Sequence, residues 1–330
     1  MTSYGVAIRE AFAYLLERYP NVFAIGQGLW SPWYVGNSMT DLDKQFGAAR
    51  VIDTPVSELA CTGAALGAAL SGYRPIVVHP RVDFMLLAVD PIVNQAAKWS
   101  AMFGGQVSAP LTVRAIINRG GEQGAQHSQA LHSWFAHVPG LRVVMPATPS
   151  DARDLLVASV LSPDPVLYID DRWLYGLEED LEPVRELALE REGPRLVRSG
   201  GDLTLVGASY STLLCRDAAS QLASRGVECD VIDLRVLNPL DTTIVADSVR
   251  RTGRLLVVDG DWSCCGLGGE IIASAAEAID AGGWRSRPAR LTLPNAPAPT
   301  SAPLERTYYL TVEDVVERAL VMTGHFEVHE

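Results

Sequence analysis

The chain has 330 residues, of which 48% are hydrophobic and 20% are charged, and its formal net charge is −12. This length allows two globular domains, each with its own core, and the composition is that of a folded protein. The acidic balance and the lack of a Lys/Arg-rich block exclude a phosphate-tracking nucleic-acid surface. With no apolar run of membrane-spanning length and no signal peptide at the N-terminus, we expect a cytoplasmic protein without membrane contact.

Cysteine usage indicates neither disulfides nor a metal site. The five cysteines are an odd number and include no Cys-x-x-Cys pair. The adjacent Cys264 and Cys265 have unfavourable geometry for bridging. We therefore expect reduced thiols, as in a cytosolic protein, and no zinc site.

Apolar runs of strand length alternate with amphipathic segments of helix length in the first half of the chain. Strands that are apolar throughout and alternate with helices favour a mostly parallel sheet covered on both faces. The pattern predicts strands at residues 22–26, 75–79, 111–117, 143–145 and 166–170. It predicts helices at residues 6–19, 59–71, 86–102, 128–137 and 150–161.

Residues 173–194 interrupt this alternation. They are acidic, lack a strong period and end in Glu-Gly-Pro, which indicates a linker. The alternation then resumes, with strands predicted at 203–207, 228–233, 255–259 and 289–293 and helices at 209–225, 242–252, 267–281 and 311–322. We therefore predict an α/β protein of two doubly wound domains, covering residues 1–190 and 191–330.

The common nucleotide-binding and hydrolase motifs are missing from the sequence. It has no Gly-x-Gly-x-x-Gly after the first strand, no Gly-x-x-x-x-Gly-Lys-Ser/Thr and no Gly-x-Ser-x-Gly. Neither a nicotinamide site, a nucleoside-triphosphate loop nor a nucleophile elbow is indicated.

Glu58 follows the run Val51-Ile-Asp-Thr-Pro-Val-Ser57 and opens a predicted helix rich in glycine and alanine. A carboxylate in the first turn suits the positive end of the helix dipole, so a purely structural role is one interpretation. The small residues that follow also let another backbone or a flat ligand approach closely. The residues in neighbouring loops favour the second interpretation.

Two further candidates lie in loops of the same predicted sheet. His127 stands in a glycine-rich loop before a predicted helix, whose positive end favours a neutral imidazole able to exchange protons. Phe84 follows a strand end and could form the apolar wall of a ring-binding site. Taken singly, His127 could instead be a structural hydrogen-bonding residue and Phe84 a core residue. Ligand sites of parallel sheets lie at the carboxyl ends of strands, which favours function.

In their order along the chain, these residues resemble the β subunit of the thiamine-diphosphate-dependent first component of 2-oxo-acid dehydrogenase complexes, in the transketolase-like superfamily. The similarity spans nearly the whole chain, and the combination of motifs carries it. The matching stretches are residues 50–58, 67–75, 90–98, 126–129, 137–146, 164–165, 231–239, 266–271 and 304–305. The resemblance implies a thiamine-diphosphate pyrimidine-binding domain in residues 1–190 and a transketolase C-terminal-like domain in residues 191–330.

The resemblance also implies roles for individual residues. Glu58 would be the cofactor-activating glutamate, hydrogen-bonded to a nitrogen of the pyrimidine ring. Phe84 would line that ring, with Ser57 and Pro80 as further cofactor-binding residues. His127 would lie over the reactive carbon to orient substrate or transfer protons.

Metal ions and partners follow from the same resemblance. The family often holds a structural potassium ion with main-chain carbonyls, and the corresponding positions are Leu111, Ser159, Ser162 and Asp164. The family's motif for diphosphate and magnesium, Gly-Asp-Gly followed further on by Asn, is missing here. A separate α subunit would therefore supply the diphosphate and magnesium half of the site, in an α2β2 heterotetramer. A lipoyl-bearing acyltransferase or carrier protein would be a further partner.

Three local features depart from the family. Gln27-Gly28 replaces the usual acidic pair, and the loop that follows is unusually aromatic. In the loop before His127, Gln123 stands where the similar loop of transketolases has an aspartate. Gln123 and His127 are therefore the candidate substrate contacts, and a polar amide would suit a ketose or hydroxylated donor.

Three functional hypotheses result. The first is a β subunit of an enzyme that decarboxylates a 2-oxo acid and passes the acyl unit to a lipoyl carrier, active only with its α subunit. The alternative is a transketolase-like transfer of a two-carbon ketol or acyl unit to a sugar or carrier protein in a biosynthetic pathway. A non-catalytic scaffold is the third, and the presence of both Glu58 and His127 disfavours it.

Overall fold

The computed structural model describes residues 1–325 as two compact units. The first comprises residues 1–119, 126–192 and 236–239. The second comprises residues 120–125, 193–235 and, among the described residues, 240–325. The short loop 120–125 is thus part of the second unit, although the chain on either side of it belongs to the first.

Strands of both units are numbered together along the chain. They are β1 (Thr2–Ser3), β2 (Val22–Gly26), β3 (Tyr34–Asn37), β4 (Val51–Asp53), β5 (Arg74–His79), β6 (Thr112–Ile117), β7 (Arg142–Val144), β8 (Val166–Asp171), β9 (Glu178–Glu179), β10 (Arg195–Arg198), β11 (Leu203–Gly207), β12 (Cys229–Asp233), β13 (Val236–Asn238), β14 (Leu255–Trp262) and β15 (Ala289–Leu293).

The α-helices are numbered in the same way. Within residues 1–325, none of them is both long and apolar enough to cross a membrane. They are α1 (Tyr4–Arg18), α2 (Leu42–Phe46), α3 (Glu58–Leu70), α4 (Val82–Met85), α5 (Ala97–Met102), α6 (His132–Ala136), α7 (Pro149–Leu161), α8 (Tyr210–Ala223), α9 (Thr243–Thr252), α10 (Leu267–Ala278), α11 (Ala302–Glu305) and α12 (Val312–Thr323).

The first unit is built on a seven-stranded sheet in the order β13-β7-β8-β6-β5-β2-β4. All of its strand pairs are parallel except β13–β7. The central strands β6 and β8 are buried at every residue, because helices such as α3, α7 and α1 cover the sheet. The parallel sheet predicted from the apolar runs is confirmed.

The second unit has a five-stranded sheet in the order β10-β12-β11-β14-β15, parallel except for the β10–β12 pair at its edge. Its largest core packs α8 and α12 against the strands, through residues such as Leu205, Leu222, Val231 and Val315. Both units are therefore α/β, as predicted.

Three local predictions were wrong in detail. The single helix predicted at 86–102 is broken into α4, a 3₁₀ turn at Leu86–Ala88, a π-helix at Asp90–Ala96 and α5. Pro91 lies at the start of the π-helix, where its missing N–H interrupts the α-helical pattern. The predicted linker 173–194 contains β9, which pairs with β1. The helix predicted at 128–137 begins only at His132.

Candidate active site

Glu58 is the first residue of α3, immediately after the turn that follows β4. It is only 8% exposed, although the preceding Ser57 makes no side-chain capping bond to the helix. Among the described residues, none forms a hydrogen bond or ion pair with its carboxylate. An acid that is largely buried and has no protein partner among these residues is free to bind a partner from outside the chain.

The Glu58 side chain lines a small cavity at the carboxyl ends of β2 and β5. This is the edge of a parallel sheet where ligands bind in doubly wound folds. Ser57 lines the same cavity, as predicted for a residue beside the activating acid, although its role stays a prediction. The other lining residues are Gly26, Gln27, Thr54, Pro55, Cys61, Val77, Val78 and His79.

His79 is a cavity residue that was not predicted from the sequence. It ends β5, is 3% exposed, and its Nε2 lies 3.2 Å from Oγ1 of the fully buried Thr62. Burial lowers the pKa of His79 to about 4, so the imidazole is neutral at physiological pH. A histidine at the end of an otherwise apolar strand was the signal available in the sequence.

Phe84 and His127 contact each other, and their roles in a shared site stay a prediction. Their ring centroids are 5.2 Å apart and the rings are nearly perpendicular, at 83°. Phe84 lies in α4 and His127 in the loop before α6, and both side chains are partly exposed. Pro80, buried, joins β5 to the segment that leads to Phe84.

The prediction that His127 lies near a helix start was wrong. The residue lies in a loop five positions before α6. The loop is instead tied to Asp83, whose Oδ1 accepts hydrogen bonds from the backbone N–H of Gln129 (3.1 Å) and from its Nε2 (3.0 Å). These two bonds hold residue 129 against the segment that carries Phe84.

The aromatic loop after Gly28 is bonded to the rim of the cavity. Nε2 of Gln27, a cavity residue, donates to the hydroxyl of Tyr34 at 2.7 Å. The indole N–H of Trp30 donates to the carbonyl of Val51 at 2.8 Å. These bonds connect the loop to Gln27 of the cavity lining and to β4, and Trp33 is exposed by 73%.

Gln123 belongs to the second unit, and its role in substrate binding stays a prediction. Its neighbour Glu122 has positive φ (61°) and is held within that unit. The backbone N–H of Glu122 donates to both carboxylate oxygens of Glu305, at 3.2 and 3.0 Å. The Glu122 carboxylate in turn accepts from the backbone N–H of Ala302 at 2.9 Å.

Three of the four carbonyls predicted to hold potassium, those of Leu111, Ser159 and Ser162, already accept hydrogen bonds. Nη1 of Arg74 donates to Ser162 at 2.8 Å and to the neighbouring Val160 at 2.7 Å. The Ser159 carbonyl accepts from the Thr112 hydroxyl at 3.2 Å. The Leu111 carbonyl accepts from the backbone N–H of Val166. At Asp164 it is the side-chain carboxylate that is bonded, to Nε of Arg142.

The Arg74 guanidinium bonded to the Ser162 carbonyl opposes a second cation there by like-charge repulsion. As folded, the Ser162 carbonyl therefore does not suit a potassium ion unless Arg74 withdraws.

Comparison with known proteins defines the class of protein. Residues 1–176 match the family model of the transketolase pyrimidine-binding domain, and residues 194–315 match that of the transketolase C-terminal domain. The fold resembles a solved structure described as a split-gene transketolase in an inactive β4 tetramer. Their TM-score is 0.76 at 20% identity, and the match covers 98% of this chain and 99% of that one.

The full-length relatives are more specific. The chain is 36% identical to the β subunit of acetoin:2,6-dichlorophenolindophenol oxidoreductase of Cupriavidus necator, over 96% of both proteins. It is 35% identical to the pyruvate dehydrogenase E1 β subunit of Rhizobium meliloti, over 94% of this chain and 67% of that protein. The mitochondrial pyruvate dehydrogenase E1 β subunit of Drosophila melanogaster is 34% identical, over 94% of this chain and 82% of that protein. The chain thus belongs to the thiamine-diphosphate-dependent E1 β-subunit family, which confirms the resemblance.

Proposed function

We propose that this chain is the β subunit of a heteromeric thiamine-diphosphate-dependent enzyme that decarboxylates a 2-oxo acid and passes the acyl unit to a lipoyl carrier. The observation that carries the proposal is Glu58, a buried acid without a protein partner that faces a cavity at the carboxyl edge of the sheet. An acid so placed suits a hydrogen bond to a ring nitrogen of a flat ligand, so these residues fit the cofactor.

Each proposed site residue has a defined task. Thiamine diphosphate, when bound, supplies a nucleophilic carbon and an electron sink. Glu58 holds a proton at the pyrimidine nitrogen, and Phe84 forms the apolar wall beside Pro80 and Ser57. His127, fixed against the edge of the Phe84 ring, orients the substrate or transfers a proton.

An α subunit is the proposed partner, and it would supply magnesium and the diphosphate contacts. The named relatives are themselves β subunits. One face of α3, starting beside Glu58, is apolar and exposed: Leu59 is 55% exposed, and an added Cβ at Gly63 or Gly67 would meet nothing within 4 Å. An exposed apolar face of this kind is typical of a protein–protein contact. We propose an α2β2 heterotetramer and a lipoyl-bearing acyltransferase as its acceptor.

The transferase alternative concerns the substrate. The polar amide of Gln123 would suit a hydroxylated donor, and two of the relatives are acetoin oxidoreductase subunits. A two-carbon transfer from a ketose, or cleavage of acetoin, would use the same Glu58 and His127.

One experiment separates these functions. The chain is purified together with its diphosphate-binding subunit and supplied with thiamine diphosphate and magnesium. Carbon dioxide release from pyruvate and branched 2-oxo acids is then compared with turnover of acetoin and of a ketose phosphate. Carbon dioxide release with acylation of a lipoyl domain supports the proposal. Two-carbon transfer without carbon dioxide release supports the transferase, and Glu58→Gln is the control for site-dependent turnover.

A further inference from the structure

The first turn of α3 carries Glu58, but no side-chain cap holds this turn in place. Ser57, the residue before Glu58, makes no side-chain bond to the first turn. A helix start without a cap leaves several backbone N–H groups without partners and is prone to fray. The direction of the Glu58 carboxylate therefore depends on what holds the next turn.

Thr62 lies in that next turn. It follows Glu58 by four residues, so the two side chains lie on one face of α3, and both are buried there. Its hydroxyl is 3.2 Å from Nε2 of His79, which ends β5 and lines the same cavity as Glu58. One hydrogen bond thus connects the carboxyl end of a central strand to the first turns of the helix that carries Glu58.

The imidazole of His79 is also suited to a position in the cavity that Glu58 lines. Burial keeps His79 uncharged, so it adds no cation beside the Glu58 carboxylate. No other hydrogen bond joins the His79 ring to the described residues, so the pairing with Thr62 sets the orientation of the ring. An apolar residue at either position would remove this link while still filling the space.

We propose that His79 and Thr62 are positioning residues for Glu58: their hydrogen bond fixes the first turns of α3 and thereby the direction of the Glu58 carboxyl toward the cofactor ring. This inference rests on the proposed function, in which Glu58 acts on the pyrimidine. It goes beyond that function, because neither His79 nor Thr62 touches the reacting atoms in it.

The test uses variants of similar shape that remove the bond. Thr62→Val and His79→Phe lose it, whereas Thr62→Ser and His79→Gln retain a polar group at the same place. Each is purified with the diphosphate-binding subunit and loaded with thiamine diphosphate and magnesium. The readout is exchange of the proton on the cofactor's reactive carbon for deuterium, followed by proton NMR after acid quench. Cofactor Kd and the unfolding temperature are measured alongside.

We expect Thr62→Val and His79→Phe each to slow the exchange about tenfold or more, with cofactor Kd changed less than about threefold. The double variant should be no slower than the slower single variant, because both substitutions break one bond. Thr62→Ser and His79→Gln should restore most of the rate.

Two outcomes overturn the inference, and they are distinguishable. Wild-type exchange rates in Thr62→Val and His79→Phe would show that the pair does not position Glu58, while leaving the proposed function intact. Absence of exchange in the wild-type complex would contradict the proposed function, and the positioning role with it. If Thr62→Val has a much lower unfolding temperature, the folded Thr62→Ser and His79→Gln proteins still test the inference. Slow exchange in both of them would contradict the role of the bond.

Discussion

Oδ1 of Asp83 accepts two hydrogen bonds from Gln129, one from its backbone N–H and one from its side-chain amide. Asp83 precedes Phe84, and Gln129 lies two residues after His127. The pair therefore joins the two segments whose rings meet at 5.2 Å. Asp83 is 6% exposed, and burial raises the pKa of its carboxyl group.

Removing the bonds between Asp83 and Gln129 should reduce activity, because His127 remains in the chain but its loop is no longer held in place. We expect Asp83→Ala to lower kcat about tenfold or more, because the loop that carries His127 loses both of its bonds to Asp83. Asp83→Asn keeps one acceptor oxygen and should lose less. Steady-state kinetics of the two variants, with cofactor Kd as a control, measures the effect. Equal activity of Asp83→Ala and wild type would show that the loop is held by other contacts.

His79 should make the protein sensitive to acid. Its pKa is about 4 in the folded chain and 6.5 in its unfolded reference state, so the unfolded chain binds more protons between these values. The stability that follows from the neutral ring is fully present above pH 6.5 and is lost as the pH falls toward 4, by about 3 kcal/mol. Glu58 and Cys61 are the other titratable groups that line this cavity.

Urea unfolding of wild type and His79→Phe between pH 7.5 and 4.5 tests this prediction. The free energy of unfolding should fall more steeply with decreasing pH in wild type than in His79→Phe. The difference between the two slopes should correspond to at most one bound proton. Parallel curves for the two proteins would show that His79 is not the acid-sensitive group.

Arg74 should make potassium unnecessary for stability. Its guanidinium already donates to the carbonyls of Val160 and Ser162. We therefore expect the same unfolding temperature in potassium and sodium chloride at equal ionic strength. In Arg74→Ala the same carbonyls lose their donor, so potassium should stabilise that variant more than sodium does. Stabilisation of wild type by several degrees in potassium alone would show that a potassium ion displaces the arginine.

The parts of the fold that the sequence predicted well are those fixed by local apolar pattern. Strands β2, β11 and β15 have the predicted bounds, because β2 and β11 are short, mainly apolar runs and β15 alternates apolar with polar residues. The strand β13 was missed, because it is a three-residue segment that pairs antiparallel with β7, about ninety positions earlier in the chain.

The candidate site was predictable as a set of residues but not as a geometry. Glu58, Phe84 and His127 carry motif information, and the structure brings the last two into contact. The loop conformation before α6 depends on Asp83, which no local pattern connects with Gln129. His79 was missed for a related reason: a histidine in a buried strand is commonly a core residue until its partner and cavity are known.

The central claim is that Glu58 activates a bound thiamine diphosphate. Its most direct test is the turnover of Glu58→Gln in complex with the diphosphate-binding subunit, with cofactor binding measured in the same preparation. We predict near-complete loss of turnover with the cofactor still bound, because the amide keeps the shape of the side chain but cannot hold the proton. Activity within about tenfold of wild type, less than about 1.4 kcal/mol of barrier, would contradict the assignment.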